Sequence, residues 1–290
     1  MKTSVKTIAI STLCLGTMLQ LALATTVFTE DFTGDTSLGS AFTSTVNTGV
    51  TTAVSTTEGY TAPSAVLSDT STANAGTLSV TGNNWSTFNT STGAEKTFQV
   101  SFDWKVASSF SSAASTMRFN IVLGGTTPTT VNIGFGHSTI GGTDTNYFYA
   151  AGGSTGVTPS ATYAIGYNGT SFENGFNFGT YSSSTDTNNS TNGNYYHFLL
   201  SYEDQATTAL LTVTNNADLS QTTTYTITGL TATSVANTSG RLIALLSGNG
   251  GTGVSYIDNL NVSVVPEPSA FALVSLGGTA LLALHKRRSR

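Results

Sequence analysis

Hydrophobic and polar residues alternate with a period of two along most of the middle of the chain, which predicts β-strands. The clearest run spans residues 97–106, whose apolar members share one parity: Phe98, Val100, Phe102, Trp104 and Val106. The same pattern recurs at 117–123, 131–135, 163–167, 196–202, 211–213, 225–227 and 254–264. Strands with one apolar and one polar face predict antiparallel sheets that stack through their apolar faces.

Turn signals separate these runs. Gly-Gly or Asn-Gly dipeptides occur at 124–125, 168–169, 174–175, 192–193 and 249–250, and such pairs favour tight turns. The run from Arg241 to Leu246 is too short for a helix and predicts a buried strand. We therefore expect residues 25–265 to form one all-β domain, an antiparallel β-sandwich. A β-helix is the alternative, but no fixed-period repeat supports it.

The first 24 residues have the pattern of a secretory signal peptide. Two lysines precede a long apolar stretch, and Ala22-Leu23-Ala24 supplies a small-x-small cleavage site. The pattern predicts an N-terminal signal helix that is removed after Ala24; the alternative is an uncleaved N-terminal anchor. The single cysteine, Cys14, lies in this leader. A cleaved chain would have no disulfide and no thiolate metal site.

The last 25 residues contain three features in a fixed order. Pro266-Glu267-Pro268 comes first, an apolar run from Ala270 to Leu284 follows, and a Lys/Arg cluster ends the chain. The prolines break any preceding strand or helix. As a helix the apolar run would reach roughly 24 Å, enough for a short transmembrane helix. The basic cluster is then expected to stay in the cytoplasm.

This ordered set at 266–290 resembles the PEP-CTERM sorting signal. The resemblance implies that Pro266, Glu267 and Pro268 are recognition residues for an exosortase, a membrane transpeptidase. It also implies a link to exopolysaccharide or biofilm matrix. Together with the signal peptide, it predicts a protein that the secretion machinery exports, that is held transiently in the inner membrane, and that ends at the cell surface or in the extracellular matrix. A plain C-terminal membrane anchor is the alternative.

The two ends of the predicted sandwich resemble a known group of folds. Residues 28–32 (Phe-Thr-Glu-Asp-Phe) and 256–262 (Tyr-Ile-Asp-Asn-Leu-Asn-Val) are similar to the first and last strands of concanavalin/laminin-G-like and carbohydrate-binding jelly rolls. The resemblance implies a concanavalin A-like jelly roll whose terminal strands lie side by side.

The charge of the predicted domain excludes one class of partner. Residues 25–265 hold fourteen acidic and four basic residues, a net charge of −10. Nucleic-acid phosphates need clustered Lys and Arg, so we expect no nucleic-acid binding. Thr, Ser, Asn and Gly take the place of charged residues, which make up only 9% of the chain.

Three acidic residues near the terminal strands suggest a cation site. Glu30 shares strand parity with its aromatic neighbours, and Asp258 shares parity with Tyr256 and Leu260, so both carboxylates are expected to face the interior. A buried carboxylate without a partner is unfavourable, and Ca²⁺ binds carboxylate oxygens. The sequence thus suggests a structural Ca²⁺ held by Glu30 or Asp31 together with Asp258. In the alternative, these acids lie at strand ends and are capped by backbone amides or water.

No recognisable catalytic motif is present. His137 is expected in a turn and His197 on the polar side of its strand, and the sequence has no Gly-x-Ser-x-Gly elbow. We therefore predict no catalytic residues and no enzymatic activity.

Aromatic residues near turns suggest sugar binding instead, because aromatic faces stack on sugar rings. Trp85 lies in the turn-like Gly-Asn-Asn-Trp-Ser, and Tyr147 and Tyr149 alternate poorly, so these three are candidate ligand-binding residues. Trp104 is in phase with a core face and is expected to be buried. Two functions stay open: a structural or adhesive matrix protein and a carbohydrate-binding module. A polysaccharide hydrolase is a distant third.

Overall fold

The computed structural model describes residues 25–70, 76–81, 95–110, 116–123, 129–140, 143–153, 189–190, 194–232, 242–247 and 251–266. Both predicted terminal helices and the 163–167 run lie outside these ranges. Over the described ranges, there is no helix of the length and apolar character that crossing a membrane requires.

The described residues form fifteen strands. In chain order they are β1 (Thr25–Glu30), β2 (Phe42–Val46), β3 (Val50–Ser55), β4 (Ser64–Asp69), β5 (Gly76–Thr81), β6 (Glu95–Phe110), β7 (Thr116–Val122), β8 (Thr130–Ile140), β9 (Thr143–Gly153), β10 (Asn189–Ser190), β11 (Tyr196–Glu203), β12 (Ala209–Asn215), β13 (Asp218–Ile227), β14 (Leu242–Ser247) and β15 (Gly251–Pro266).

These strands make two antiparallel sheets. The nine-stranded sheet has the order β13-β12-β11-β6-β15-β4-β3, with β1 also paired to β15 and β10 to β6. The six-stranded sheet has the order β2-β5-β14-β7-β8-β9. The pairing of β1 with β15 confirms that the terminal strands lie side by side. The all-β, antiparallel prediction is also confirmed.

The core lies between the two sheets, which pack face to face as a β-sandwich. Phe102 of β6 stacks on Phe119 of β7, with ring centroids 3.9 Å apart, and on Phe198 of β11, at 5.3 Å. The Trp104 ring meets Phe119 edge-on at 5.5 Å. Trp104 is fully buried, as its parity predicts. The alternating apolar side chains of the sequence are therefore the contact surface between the sheets.

The alternation of apolar and polar residues in the sequence does not reveal every strand, and it places one histidine wrongly. The strands β2 to β5 and β9 have no apolar run of the kind found in β6; β3, for example, reads Val-Thr-Thr-Ala-Val-Ser. Threonine is β-branched and polar, so it fits either face of a strand and weakens the contrast between the two faces.

His137 lies within β8, paired with Asn146 of β9, so its prediction as a turn residue is wrong.

A bulge in β15 controls which face its residues occupy. The register of β15 against β6 shifts between Asp258 and Asn261, and Asn259 has a φ of 51°. Before the bulge β15 pairs with β4, and after it β15 pairs with β1. The extra residue reverses the parity. Leu260 therefore faces the core, whereas Asp258 lies opposite Asp103 on the outer face of the nine-stranded sheet.

Candidate ligand-binding face of the nine-stranded sheet

Three adjacent central strands carry a compact set of polar and aromatic side chains on the outer face of the nine-stranded sheet. We call this set the polar grid. Its six members are His197 on β11, Tyr195 directly before β11, Asp103 and Lys105 on β6, and Asp258 and Tyr256 on β15. Asp103 is the register partner of both His197 and Asp258, and Lys105 is the partner of Tyr256. Alternate residues of a strand share one face, so the grid is a direct product of the strand register.

Asp103 is the hydrogen-bonding centre of the grid. Its Oδ1 accepts hydrogen bonds from His197 Nδ1 and Asn216 Nδ2, each at 2.9 Å, and its Oδ2 accepts one from Asn259 Nδ2 at 2.7 Å. Asp103 is only 4% exposed. The carboxylate therefore fixes side chains from three different elements: β11, the β12–β13 turn and the β15 bulge.

The same bonds keep the Asp103 carboxyl ionised. Burial by itself raises the pKa of Asp103, but hydrogen bonds from His197, Asn216 and Asn259, with a smaller effect of charge on His197, outweigh it. The net pKa of Asp103 lies below its usual value. A neutral His197 must hold its proton on Nδ1 to donate to this carboxylate, which leaves Nε2 for an external partner. The His197 side chain is 41% exposed.

Asp258, the second carboxylate of the grid, holds a loop in place. Its Oδ2 accepts hydrogen bonds from the Thr61 backbone N–H at 2.9 Å and the Thr61 hydroxyl at 3.3 Å. Its Oδ1 accepts one from the Asn259 backbone N–H at 2.8 Å. Asp258 is fully buried, as predicted. The expectation that it faces the interior is wrong, because the bulge places it on the outer face, under the loop of residues 56–63.

Lys105 anchors the other half of this loop. Its Nζ forms an ion pair with Glu58 at 2.8 Å. The same nitrogen lies 5.7 Å from the Tyr195 ring centroid and 5.5 Å from that of Tyr256, both within range of a cation–π interaction. The Ser64 hydroxyl donates to the backbone carbonyl of Glu58. The loop is thus tied to the grid at Glu58 and again at Thr61.

Tyr60 lies between these two anchors and is half exposed, at 50%. Its ring packs on Tyr195 with a centroid separation of 6.3 Å and an interplanar angle of 54°. Gly59 packs so closely against the backbone of Ala62 that any side chain at position 59 would collide with it. Burial raises the pKa of Tyr195 far above its usual value, so its ring is a neutral support. The structure therefore presents the Tyr60 ring to solvent on a fixed loop beside the grid.

Sequence reasoning did not single out Tyr60, Asn216 or Asn259. The signal for Tyr60 was present: an aromatic residue between Gly59 and Pro63, in a turn-like segment similar in kind to the one around Trp85. The two asparagines had no such signal, since each lies in a chain rich in Asn. Only the folded register brings them to Asp103.

The three predicted calcium ligands each bind backbone amides. Glu30 Oε1 accepts the Phe32 N–H at 2.9 Å and Asp31 Oδ1 accepts the Thr33 N–H at 3.0 Å, while Asp258 is bonded as above. Among the described residues, no group of three or more His, Cys, Asp or Glu side chains is placed to hold a metal ion. The calcium site stays a prediction, and melting curves with calcium and with chelator test it.

The other predicted site residues lie away from the grid or outside the described ranges. Tyr147 and Tyr149 are in β9 of the six-stranded sheet, paired with Gly136 and Gly134 of β8. Pro266 ends β15. Trp85, Glu267 and Pro268 fall on residues that the structure does not describe. Their roles in ligand binding and in sorting stay predictions.

Comparisons with known proteins reveal similar structures but no family. No protein-family model matches the chain, and no curated protein is similar to it in sequence. A carbohydrate esterase from the Shiga toxin-encoding bacteriophage phi24B is 14% identical with a TM-score of 0.43, covering 83% of this chain and 99% of the esterase. Lectin II from Ulex europaeus is 9% identical with a TM-score of 0.42, covering 83% and 99%. The CBM22-1 xylan-binding domain of Paenibacillus barcinonensis Xyn10C is 10% identical with a TM-score of 0.31, covering 83% and 96%. At these TM-scores the likenesses identify no family and assign no activity.

Proposed function

We propose that this chain is an exported, exosortase-processed surface or matrix protein whose sandwich binds carbohydrate through Tyr60 and the polar grid. The terminal sequence patterns support the export route. The observation that carries the binding role is the half-exposed Tyr60 ring, fixed by the anchored loop beside polar side chains that Asp103 orients. Adhesion to exopolysaccharide would then be how the protein acts in a matrix.

The chemistry of the grid, together with the two asparagines that are bonded to Asp103, suits sugar hydroxyls. A hydroxyl group both donates and accepts a hydrogen bond, so a sugar site needs both kinds of partner. Asn216 and Asn259 each use one amide N–H on Asp103, which leaves a second N–H and a carbonyl oxygen on each. His197 offers Nε2. An aromatic face beside such groups is the usual arrangement of a site that binds sugar rings.

Rigidity is the second argument for binding. Ordering a loop on ligand binding costs free energy, and a loop that is already ordered avoids that cost. Here Glu58 and Thr61 hold the loop on both sides of Tyr60 through Lys105 and Asp258. The ring is thus fixed before any ligand arrives.

We propose that the role is binding without catalysis, but one observation favours hydrolysis as a second candidate. His197 Nδ1 lies 2.9 Å from Asp103 Oδ1, which is the geometry of a general base with its orienting carboxylate. Incubation of each bound polysaccharide with the protein, followed by measurement of released reducing ends, separates the candidates. A release that His197→Gln abolishes would establish hydrolysis.

A binding assay tests the main proposal. The full-length chain in detergent is applied to a glycan array and to exopolysaccharide purified from its host. We expect Tyr60→Ala to weaken binding roughly tenfold, the effect of losing an aromatic contact of about 1.4 kcal/mol. Leu219→Ala is the matched control, since Leu219 is 72% exposed and lies at the start of β13, outside the grid. Equal binding by wild-type and Tyr60→Ala protein would overturn the proposal.

A further inference from the structure

The two predicted processing points of the chain meet at one end of the nine-stranded sheet. The predicted signal peptide ends at Ala24, and β1 begins at the next residue, Thr25. The predicted sorting triplet begins at Pro266, which is the last residue of β15. The two strands are antiparallel, with Thr25 opposite Val264. The start of β1 therefore lies beside the end of β15, at one strand spacing of roughly 5 Å.

The strand that leads to the triplet is held on both sides. On one side β15 pairs with β6 up to Pro266, whose partner is Glu95, with a register shift after Val265. On the other side it pairs with β1. The side chains of Val262 and Val264 are buried in the core. The described strand thus runs directly into the first residue of the triplet.

This placement restricts how a transpeptidase can reach its substrate. The enzyme breaks one peptide bond near the triplet: the carbonyl side passes to the enzyme and then to an amine or to water, and the new amino end leaves with the apolar run. A strand inside a sheet cannot enter an active site, because its N–H and C=O groups are bonded to its neighbours. Cleavage there requires local opening, and its rate follows the population of the open form when opening and closing are fast.

Of the two strands that flank the end of β15, β1 is the more weakly held. It has six residues against sixteen in β6, and among the described strands it pairs with β15 alone. A register shift between Thr26 and Phe28 interrupts its pairing, and Phe28 is only partly buried against the core. Local opening at this end of the sheet therefore begins with β1.

We propose that β1 is a clasp on the sorting signal, an inference that rests on the export route of the proposed function. While β1 is paired, the exosortase processes the chain slowly; release of β1 and of the last residues of β15 exposes the triplet. The polar grid contains no residue of β1, so the anchored form already has the complete grid. The clasp then sets how long the glycan-binding sandwich stays at the membrane before it is released.

A disulfide across the clasp tests this inference. Thr26 and Ser263 are register partners on β1 and β15, and directly opposite residues of antiparallel strands lie within reach of a disulfide. The predicted mature chain has no cysteine, since Cys14 lies in the leader, so Thr26→Cys with Ser263→Cys allows only one disulfide. Thr212→Cys with Thr224→Cys is the matched control, because it links partners on β12 and β13 and leaves β1 and β15 unchanged.

The measured quantity is the initial rate of processing. Each protein is produced with its tail intact in cells that lack an exosortase, purified in detergent, and mixed with membranes of its host, and the loss of a C-terminal tag is followed over time. We expect the β1–β15 disulfide to slow processing roughly tenfold or more, and dithiothreitol to restore the wild-type rate. The β12–β13 disulfide should leave the rate unchanged.

A second variant acts in the opposite direction and serves if the disulfide variant does not fold. A Gly-Ser linker inserted between Val265 and Pro266 separates the triplet from the sheet, so processing no longer needs the release of β1. We expect this variant to be processed severalfold faster than wild type. Its melting temperature, measured before the membranes are added, should match that of wild type.

The outcomes separate failure of the clasp from failure of the export route. Equal rates for the oxidised and reduced β1–β15 disulfide protein would overturn the clasp, as would a linker variant no faster than wild type. The variant with alanine at all three triplet positions reports on the route: if wild type is processed and this variant is not, the route stands whatever the disulfide shows. Processing of neither wild type nor the linker variant, or equal processing of wild type and the alanine variant, would overturn the route and the clasp together.

Discussion

Asp103 and Asp258 are register partners on β6 and β15, both nearly or fully buried, and they are joined through Asn259. The Asn259 side-chain amide donates to Asp103 while its backbone N–H donates to Asp258. Two neighbouring buried carboxylates destabilise a fold unless each accepts hydrogen bonds from its own donors, which offset the cost of the buried charge. Here one carboxylate organises the polar side chains of the grid, and the other holds the loop that carries Tyr60.

This arrangement predicts a large loss of stability for Asp103→Asn. The substitution keeps the shape of the side chain but places an amide among three donors, from His197, Asn216 and Asn259. At least one partly buried donor then loses its acceptor, so we expect the free energy of unfolding to fall by about 2–3 kcal/mol, measured by urea denaturation. Asp218→Asn is the control: Asp218 is exposed and bonded only to nearby residues, and its substitution should leave the urea midpoint almost unchanged. A similar midpoint shift for both variants would contradict the central role of Asp103.

The same carboxylate predicts how stability depends on pH. The pKa of Asp103 is lower in the folded protein than in the unfolded chain, so the ionised group contributes stability above about pH 4. That contribution is lost as the pH falls through the lower folded-state pKa. We expect the free energy of unfolding of wild type to decrease on acidification below about pH 4, and the decrease to be smaller in Asp103→Asn.

Salt separates this effect from surface charges. The pKa of exposed Asp218 is also lowered, by hydrogen bonds from Ser220 and Gln221, but Asp103→Asn leaves that group unchanged, and high salt screens the remaining exposed charges. Urea denaturation from pH 2 to 7 in high salt should keep the difference between wild type and Asp103→Asn. Identical acid profiles for the two proteins would show that Asp103 is not the group that titrates.

Sequence pattern predicted the sheets well and the site poorly, for a physical reason. Apolar residues at alternate positions are the ones buried between the sheets. For this reason the sequence pattern predicted strands β6 and β11 and the burial of Trp104. The outer face has no such hydrophobic signal. Residues on it become neighbours through the register of strands that are far apart in the chain, which the local sequence does not show. The bulge at Asn259 reversed the parity on which the prediction for Asp258 rested. Asparagine tolerates the left-handed backbone of the bulge, but it is too common in this chain to mark the position.

The anchored loop predicts an indirect effect of Lys105 on binding. Lys105→Met keeps an apolar side chain but removes the ion pair with Glu58 and the cation–π contacts with Tyr195 and Tyr256. Because Glu58 is 42% exposed, this pair contributes at most about 1 kcal/mol to stability, so the melting temperature should change little. The loop of residues 56–63 should be cleaved faster in limited proteolysis, and glycan affinity should fall severalfold. Glu58→Gln breaks the same ion pair and should reproduce both effects; unchanged affinity in both variants would show that loop anchoring does not matter for binding.

The sorting signal predicts a specific processing defect. Replacing Pro266, Glu267 and Pro268 together by alanine removes the predicted recognition residues and leaves the apolar run and basic tail in place. We expect the variant to accumulate at full length in the inner-membrane fraction, while wild type is shortened and reaches the surface or matrix. Cell fractionation with an internal tag measures this. Recovery of full-length wild type from the soluble cytosolic fraction would contradict the export route itself.

The backbone at Asn259 allows a last prediction that separates conformation from hydrogen bonding. Its φ of 51° lies in the left-handed region, which glycine adopts freely, asparagine tolerates and β-branched residues strongly disfavour. Asn259→Gly removes only the bond to Asp103 and should lower the free energy of unfolding by about 1–2 kcal/mol. Asn259→Val removes the same bond and adds backbone strain, so we expect a further loss of about 1–2 kcal/mol. Equal urea midpoints for the glycine and valine variants would mean that the bulge does not impose this conformation, and that another feature of the chain sets the face occupied by Asp258.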